Sequence, residues 1–132
     1  MTTENDVQAG PQAGGPVGSG IVLVDPASAS DPSEVARVWR NAGWRIFHMA
    51  GGADLDAVLT GFGNTLSFPN WYGHNLDALR DCLADVEGDT AVLWTGWQPF
   101  QRDNPQDWGR LVDVIGQRLD EDELDGFALL LS

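Results

Sequence analysis

Short unbroken apolar runs alternate along this chain with stretches where apolar residues return every three or four positions, the mark of strands and helices in turn. Residues 21–24 read as a short buried strand. Asp31-Pro32-Ser33-Glu34 then supplies an N-cap, a proline at the first helical position and an acid at the third. The helix that follows turns Val35, Val38, Trp39 and Ala42 inward and ends at Gly43. Residues 44–49 resume as a strand before a Gly51-Gly52 turn, with His48 expected as a satisfied core histidine. A second helix begins at Asp54, with Leu55, Val58, Leu59, Phe62 and Leu66 at helical spacing. Gly61 and Gly63 each weaken it by about 1 kcal/mol relative to alanine, so it is expected to fray or bend there.

A third helix starts at Asn75, a good N-cap, with Asp77 in the first turn, where the macrodipole favours an anion. Leu76, Leu79 and Leu83 form its apolar stripe, and Asp77, Arg80 and Asp81 lie on the opposite side. Residues 90–94 read as a buried strand, and residues 95–101, with Gly96 and Pro99, as a turn or irregular bridge. Asn104-Pro105 restarts a helix that buries Trp108, Leu111, Val112, Ile115 and Leu119 and leaves Arg110, Asp113, Gln117 and Asp120 wet. Trp94, Trp97 and Trp108 read as packing residues, and residues 127–131 as an apolar central strand. The order of elements predicts an α/β domain with a small parallel sheet of three or four strands packed with helices.

Residues 1–20 are rich in Gly, Ala, Gln and Pro and carry no basic or continuous apolar stretch, so they are expected to form a disordered tail ahead of a single domain over residues 21–132. Within it, residues 21–44 form a strand-helix extension to a core over residues 45–132, adding a strand to the sheet by a crossover. With neither a secretory signal nor a membrane span in the pattern, the expected location is the cytoplasm. Cys82, the single cysteine, excludes an internal disulfide and fits a reducing compartment; it is read as a small buried residue rather than a reactive thiol.

The net charge is −13, from 20 acidic residues against 7 basic ones, all of them arginine. Such a chain repels nucleic acid and anionic membranes, whose phosphates require basic groups to displace counterions. Total acidity often serves only solubility, and the run of acids from Asp120 reads first as a solvated loop. Local placement says more. Asp77 and Asp81 are like charges four apart on one helix face, an arrangement that costs about 0.2–0.5 kcal/mol and is not explained by stability. They point to a surface that grips something basic. Acid/base catalysis by Asp77, Asp81 and His74 would need a concave pocket, whereas the outer face of one helix is convex. One imidazole and two carboxylates at helical spacing are a weak metal-ligand signal, so no metal or cofactor is expected.

The run Phe68-Pro69, Tyr72-Gly73, Asn75-Leu76-Asp77-Ala78-Leu79 and Asp81-Cys82-Leu83 resembles the barstar family of intracellular inhibitors of the ribonuclease barnase. Weaker similarity runs from about Arg45 to the terminal Leu129-Leu130-Leu131-Ser132. The resemblance implies a barstar-like α/β fold and inhibition of a small secreted microbial ribonuclease without chemistry of the inhibitor's own. In that family the second helix and the loop before it enter the enzyme's active-site cleft, and a carboxylate takes the place of an RNA phosphate. By this resemblance Asp81 is that carboxylate, and Asp77 is a neighbouring acidic contact. Trp71 would stack on the catalytic histidine, or else anchor the loop in the core; Gly73, Asn75 and Leu76 give close contacts. Of the adjacent aromatics, Tyr72 is the stronger candidate for pointing inward.

Two departures accompany the match. Arg80 stands where the family has an aromatic, and His74 where it has an acid; Gln117 falls roughly where a contacting glutamate lies. Trp71, Gly73, Asn75, Leu76, Asp77, Arg80, Asp81 and Gln117 are therefore the expected partner-binding residues of a monomer forming a one-to-one complex with a guanyl-specific microbial ribonuclease other than barnase. The alternative is an immunity or interaction module for a basic protein that is not a ribonuclease.

Overall fold

The computed structural model describes residues 17–24, 32–69, 72–121 and 123–132. Four strands, β1 (Gly20–Leu23), β2 (Arg45–Ala50), β3 (Thr90–Thr95) and β4 (Phe127–Leu131), form one sheet in the order β1-β4-β3-β2, every neighbouring pair parallel. Their register sets Val92 beside Leu129 and Phe47, and Ile21 beside Leu129 on the other side. The α/β class with a small parallel sheet is the one the alternation of patterns predicts, and the terminal strand is interior. The remaining elements are α1 (Pro32–Asn41), α2 (Leu55–Thr65), α3 (Leu76–Ala84), α4 (Gln98–Asp103) and α5 (Pro105–Leu119).

Helices cover both sides of the sheet, so β3 and β4 are apolar almost without a break. On one face α1 seats Val35 and Trp39 over Ala91, Leu93, Ala128 and Leu130, with Val24 and Trp44 completing the cluster. On the other, Val58, Leu59 and Phe62 of α2, Leu79, Cys82 and Leu83 of α3, Phe100 of α4 and Leu111, Val114 and Ile115 of α5 close over Met49, Val92, Trp94, Phe127 and Leu129. Trp94 lies at the centre of this second core and donates its indole N–H to the Gly51 carbonyl at 2.8 Å. Trp97 and Trp108 stack at 5.4 Å, the former buried and the latter half-buried.

Several expectations need correction. Residues 98–103 are helical where a turn or bridge is predicted: Pro99 sits in the first turn, where its missing N–H costs nothing. Helix α2 continues through its glycines to Thr65, where Gly61 and Gly63 admit Met49 and Tyr72 at close range. His48 is exposed because β2 is an edge strand, and its Nε2 lies 3.2 Å from the Thr95 hydroxyl. Ala42 is exposed beyond the end of α1, and Val112 and Leu119 are half-buried, whereas Val114 and Arg118 are buried. The expected N-cap at Asp31 and residues 1–16 of the expected tail lie outside the described residues.

Candidate functional site

Helix α3 presents its outer face from a rigid seat. Asn75 adopts extended backbone (φ −136, ψ 167) and its side-chain carbonyl accepts from Ala78 N at 2.8 Å, satisfying one of the orphan amides of the first turn. Its side-chain amide donates to the Gly73 carbonyl at 3.3 Å, tying the loop to the helix it precedes. Between them His74 holds φ 48, a left-handed conformation that costs a non-glycine residue about 1 kcal/mol and turns the chain sharply into α3. Leu79, Cys82 and Leu83 are buried beneath, and Leu76 is half-buried at the edge of the core.

Tyr72 anchors the loop from inside. Its ring lies against Phe68 at 5.0 Å and His74 at 5.2 Å, and its hydroxyl donates to the Leu59 carbonyl of α2 at 2.9 Å. A Cβ on Gly63 would come within 2.9 Å of two ring carbons, so the glycine that weakens α2 in isolation is what lets the ring seat there. Burial, with the Cys82 thiol adding to it, pushes the Tyr72 hydroxyl well above the ordinary tyrosine range, so it stays a neutral donor. Burial also raises the Cys82 thiol, with Asp85 and Asp81 acting the same way; this is a packing cysteine, as expected. A shallow recess of about 210 Å³ opens beside the loop, lined by Gly63, Asn64, Phe68, Pro69, Tyr72 and His74.

Outward, the side chains of Asp77 and Asp81 are 87% and 65% exposed, with Arg80 between them at 50%. Its guanidinium lies 3.8 Å from Asp77 Oδ1 and 3.9 Å from Asp81 Oδ1, beyond hydrogen-bond reach of either. Arg80 therefore moderates the repulsion without closing the carboxylates, which keep their lone pairs for water or for a partner's donors. Gly73 and Asn75 are exposed in the loop and cap that lead into this face, whereas Leu76 is half-buried on the core side of α3. Gln117 is exposed on α5, the helix packed against α3. Trp71 lies outside the described residues.

Arg118 is not among the residues that the sequence singles out. It is 3% exposed, donates from Nε to the Leu83 carbonyl and from Nη2 to the Asp125 carbonyl, both at 2.8 Å, and lies over the Phe127 ring. The available signal is its position three residues after Ile115 and seven after Leu111, on the buried stripe of α5.

Residues 44–132, about two thirds of the chain, match the family model described as Barstar (barnase inhibitor). The chain belongs to the barstar family. The barstar match begins at Trp44, so β1 and α1 precede it, and the loop and α3 lie inside it. No curated protein matches the chain. Among the described residues no three His, Cys, Asp or Glu side chains are grouped to hold a metal ion, and no helix is long and apolar enough to cross a membrane.

Proposed function

We propose that this protein inhibits a small, secreted, guanyl-specific microbial ribonuclease in a one-to-one complex, closing the active site with α3 and the loop before it. The observation that carries the reading is the pair of open carboxylates, Asp77 and Asp81, held on a capped helix whose opposite side is fixed in the core, within the segment that matches the barstar family. A nuclease cleft is built to hold phosphate, so it offers Arg, Lys or His donors, and charge-assisted hydrogen bonds to such donors are the strong kind. Asp81 takes the phosphate position and Asp77 meets a neighbouring cation. Short acids on a rigid helix lose little side-chain freedom when they bind.

Trp71, Gly73, Asn75, Leu76, Arg80 and Gln117 complete the contact surface, with Trp71 supplying a stacking aromatic and Gly73 allowing close backbone approach. The protein blocks by occupancy and field, with no cofactor and no chemistry of its own, and acts as a monomer in the cytoplasm of the cell that secretes the nuclease. Arg80 and His74 make this face less acidic and less apolar than the family pattern, which supports a target other than barnase. The test is titration of a panel of small guanyl-specific ribonucleases with the full chain. Loss of activity with a sharp one-to-one end point is expected from at least one. No inhibition across the panel would reject the reading in favour of a basic partner that is not a ribonuclease.

A further inference from the structure

Helix α3 ends badly by its own sequence. Its last turn contains no Lys, Arg or His, and the C-cap position is Asp85, an anion at the negative end of the helix dipole. The last carbonyls of any helix lack intrahelical donors, and on α3 that end lies only a few residues from Asp81. The Cys82 and Leu83 carbonyls accept from the Asp85 and Val86 amides at 3.1 and 3.2 Å, and a cation brought in from elsewhere in the fold would add the charged donor that this end lacks.

Arg118 is placed for that task. It projects from α5 into the interior, and its Nε donates to the Leu83 carbonyl, the penultimate carbonyl of α3. Its Nη2 donates to the Asp125 carbonyl, two residues ahead of β4, and its guanidinium carbon lies 5.6 Å from the centre of the Phe127 ring. The planar fork thus joins three elements, α3, α5 and the entry to β4, with donors at fixed angles that a single ammonium cannot reproduce. Burial lowers its pKa, opposed by the Asp125 and Glu121 carboxylates, but guanidinium remains charged in proteins. Its location is unlike that of the exposed pairs Arg102 with Asp103 and Arg110 with Asp107, which link neighbours on one surface.

We infer that Arg118 is a positioning residue for the binding face: its bridge between the Leu83 and Asp125 carbonyls keeps the last turn of α3 wound and so fixes where Asp81 points. This rests on the reading of α3 as the partner-binding helix. Arg118 itself touches no partner.

Amide hydrogen exchange in the full-length Arg118→Met protein tests the pin without any partner, because methionine keeps the apolar stem over Phe127 and removes the donors. The amides of Leu83, Ala84, Asp85 and Val86 are expected to exchange at least about 10-fold faster than in the parent, while those of β3 and β4 stay within about threefold. Arg118→Lys, able to reach one carbonyl at a time, should fall between the two, and carries the test alone if Arg118→Met does not fold. Equal acceleration in α3 and the sheet, or none in α3, would overturn the inference. On a ribonuclease from the panel that the parent inhibits, the variant's complex should dissociate about 10-fold faster with its association rate unchanged. An unchanged dissociation rate beside faster exchange would also overturn it. A parent protein that inhibits no ribonuclease would defeat the functional reading instead, with the exchange result still deciding the pin.

Discussion

Replacing glycine by alanine should change sign between two helices of this protein. Within an exposed helix the substitution stabilises by about 0.8–1.0 kcal/mol, because alanine restricts the unfolded backbone and glycine does not. Gly109 in α5 is exposed, and a Cβ there meets nothing within 4 Å, so Gly109→Ala should gain close to that full amount. At Gly63 in α2 the same Cβ would stand 2.9 Å from both Cδ2 and Cε2 of Tyr72. Movement of that ring is opposed by its hydroxyl bond to Leu59 O and by its edge-on contact with Phe68. Overpacking of this kind costs about 1–3 kcal/mol, which exceeds the propensity gain and leaves a net loss of about 1 kcal/mol. Urea unfolding followed by tryptophan fluorescence reads both variants against the parent. Midpoints should move up for Gly109→Ala and down for Gly63→Ala, at similar slopes. Equal stabilisation at the two positions would refute the account of how the Tyr72 ring is seated.

Stability should also fall in alkali. Burial raises the pKa of Cys82 and Tyr72 in the folded state, so as pH climbs past about 9 the unfolded chain loses these protons first and the folded chain keeps them. Unfolding midpoints should be level from pH 7 to 8 and decline toward pH 10.5, with a shallower decline in Tyr72→Phe; a curve of the same shape in that variant would contradict the burial of a neutral hydroxyl. Association with the nuclease should slow as salt rises, because the Debye length shortens from about 10 Å at 0.1 M to about 3 Å at 1 M. Stopped-flow rates independent of ionic strength would refute electrostatic steering by the acidic face.

Much of this architecture is legible in the sequence because local chemistry and tertiary role agree. Residues 127–131 are apolar throughout since β4 is covered on both faces, and Asn75 announces α3 because the cap is a contact within one turn. What escapes is set by distant neighbours. Gly63 reads as a helix breaker until Tyr72, nine positions on, is seen against it, and His48 reads as interior until β2 proves to be an edge. Arg118 draws no notice in the sequence because nothing local reveals that the Leu83 and Asp125 carbonyls converge on it. The acidic face is visible as a spacing, Asp77 and Asp81 four apart, but its openness is not: the sequence places Arg80 beside both carboxylates, and only the 3.8 and 3.9 Å separations leave them available.

In the proposed complex Asp81 carries recognition from a fixed helix, and Asp81→Ala isolates its part. Its side chain makes no hydrogen bond among the described residues and is 65% exposed, so the variant should unfold at nearly the parent's urea concentration. Inhibition of the cognate ribonuclease should weaken by at least about 30-fold, the lower end of the 2–5 kcal/mol that losing one side of a desolvated interfacial charge pair costs, a range to which the barnase–barstar complex itself contributes. A variant as stable as the parent and as tight an inhibitor would contradict the account.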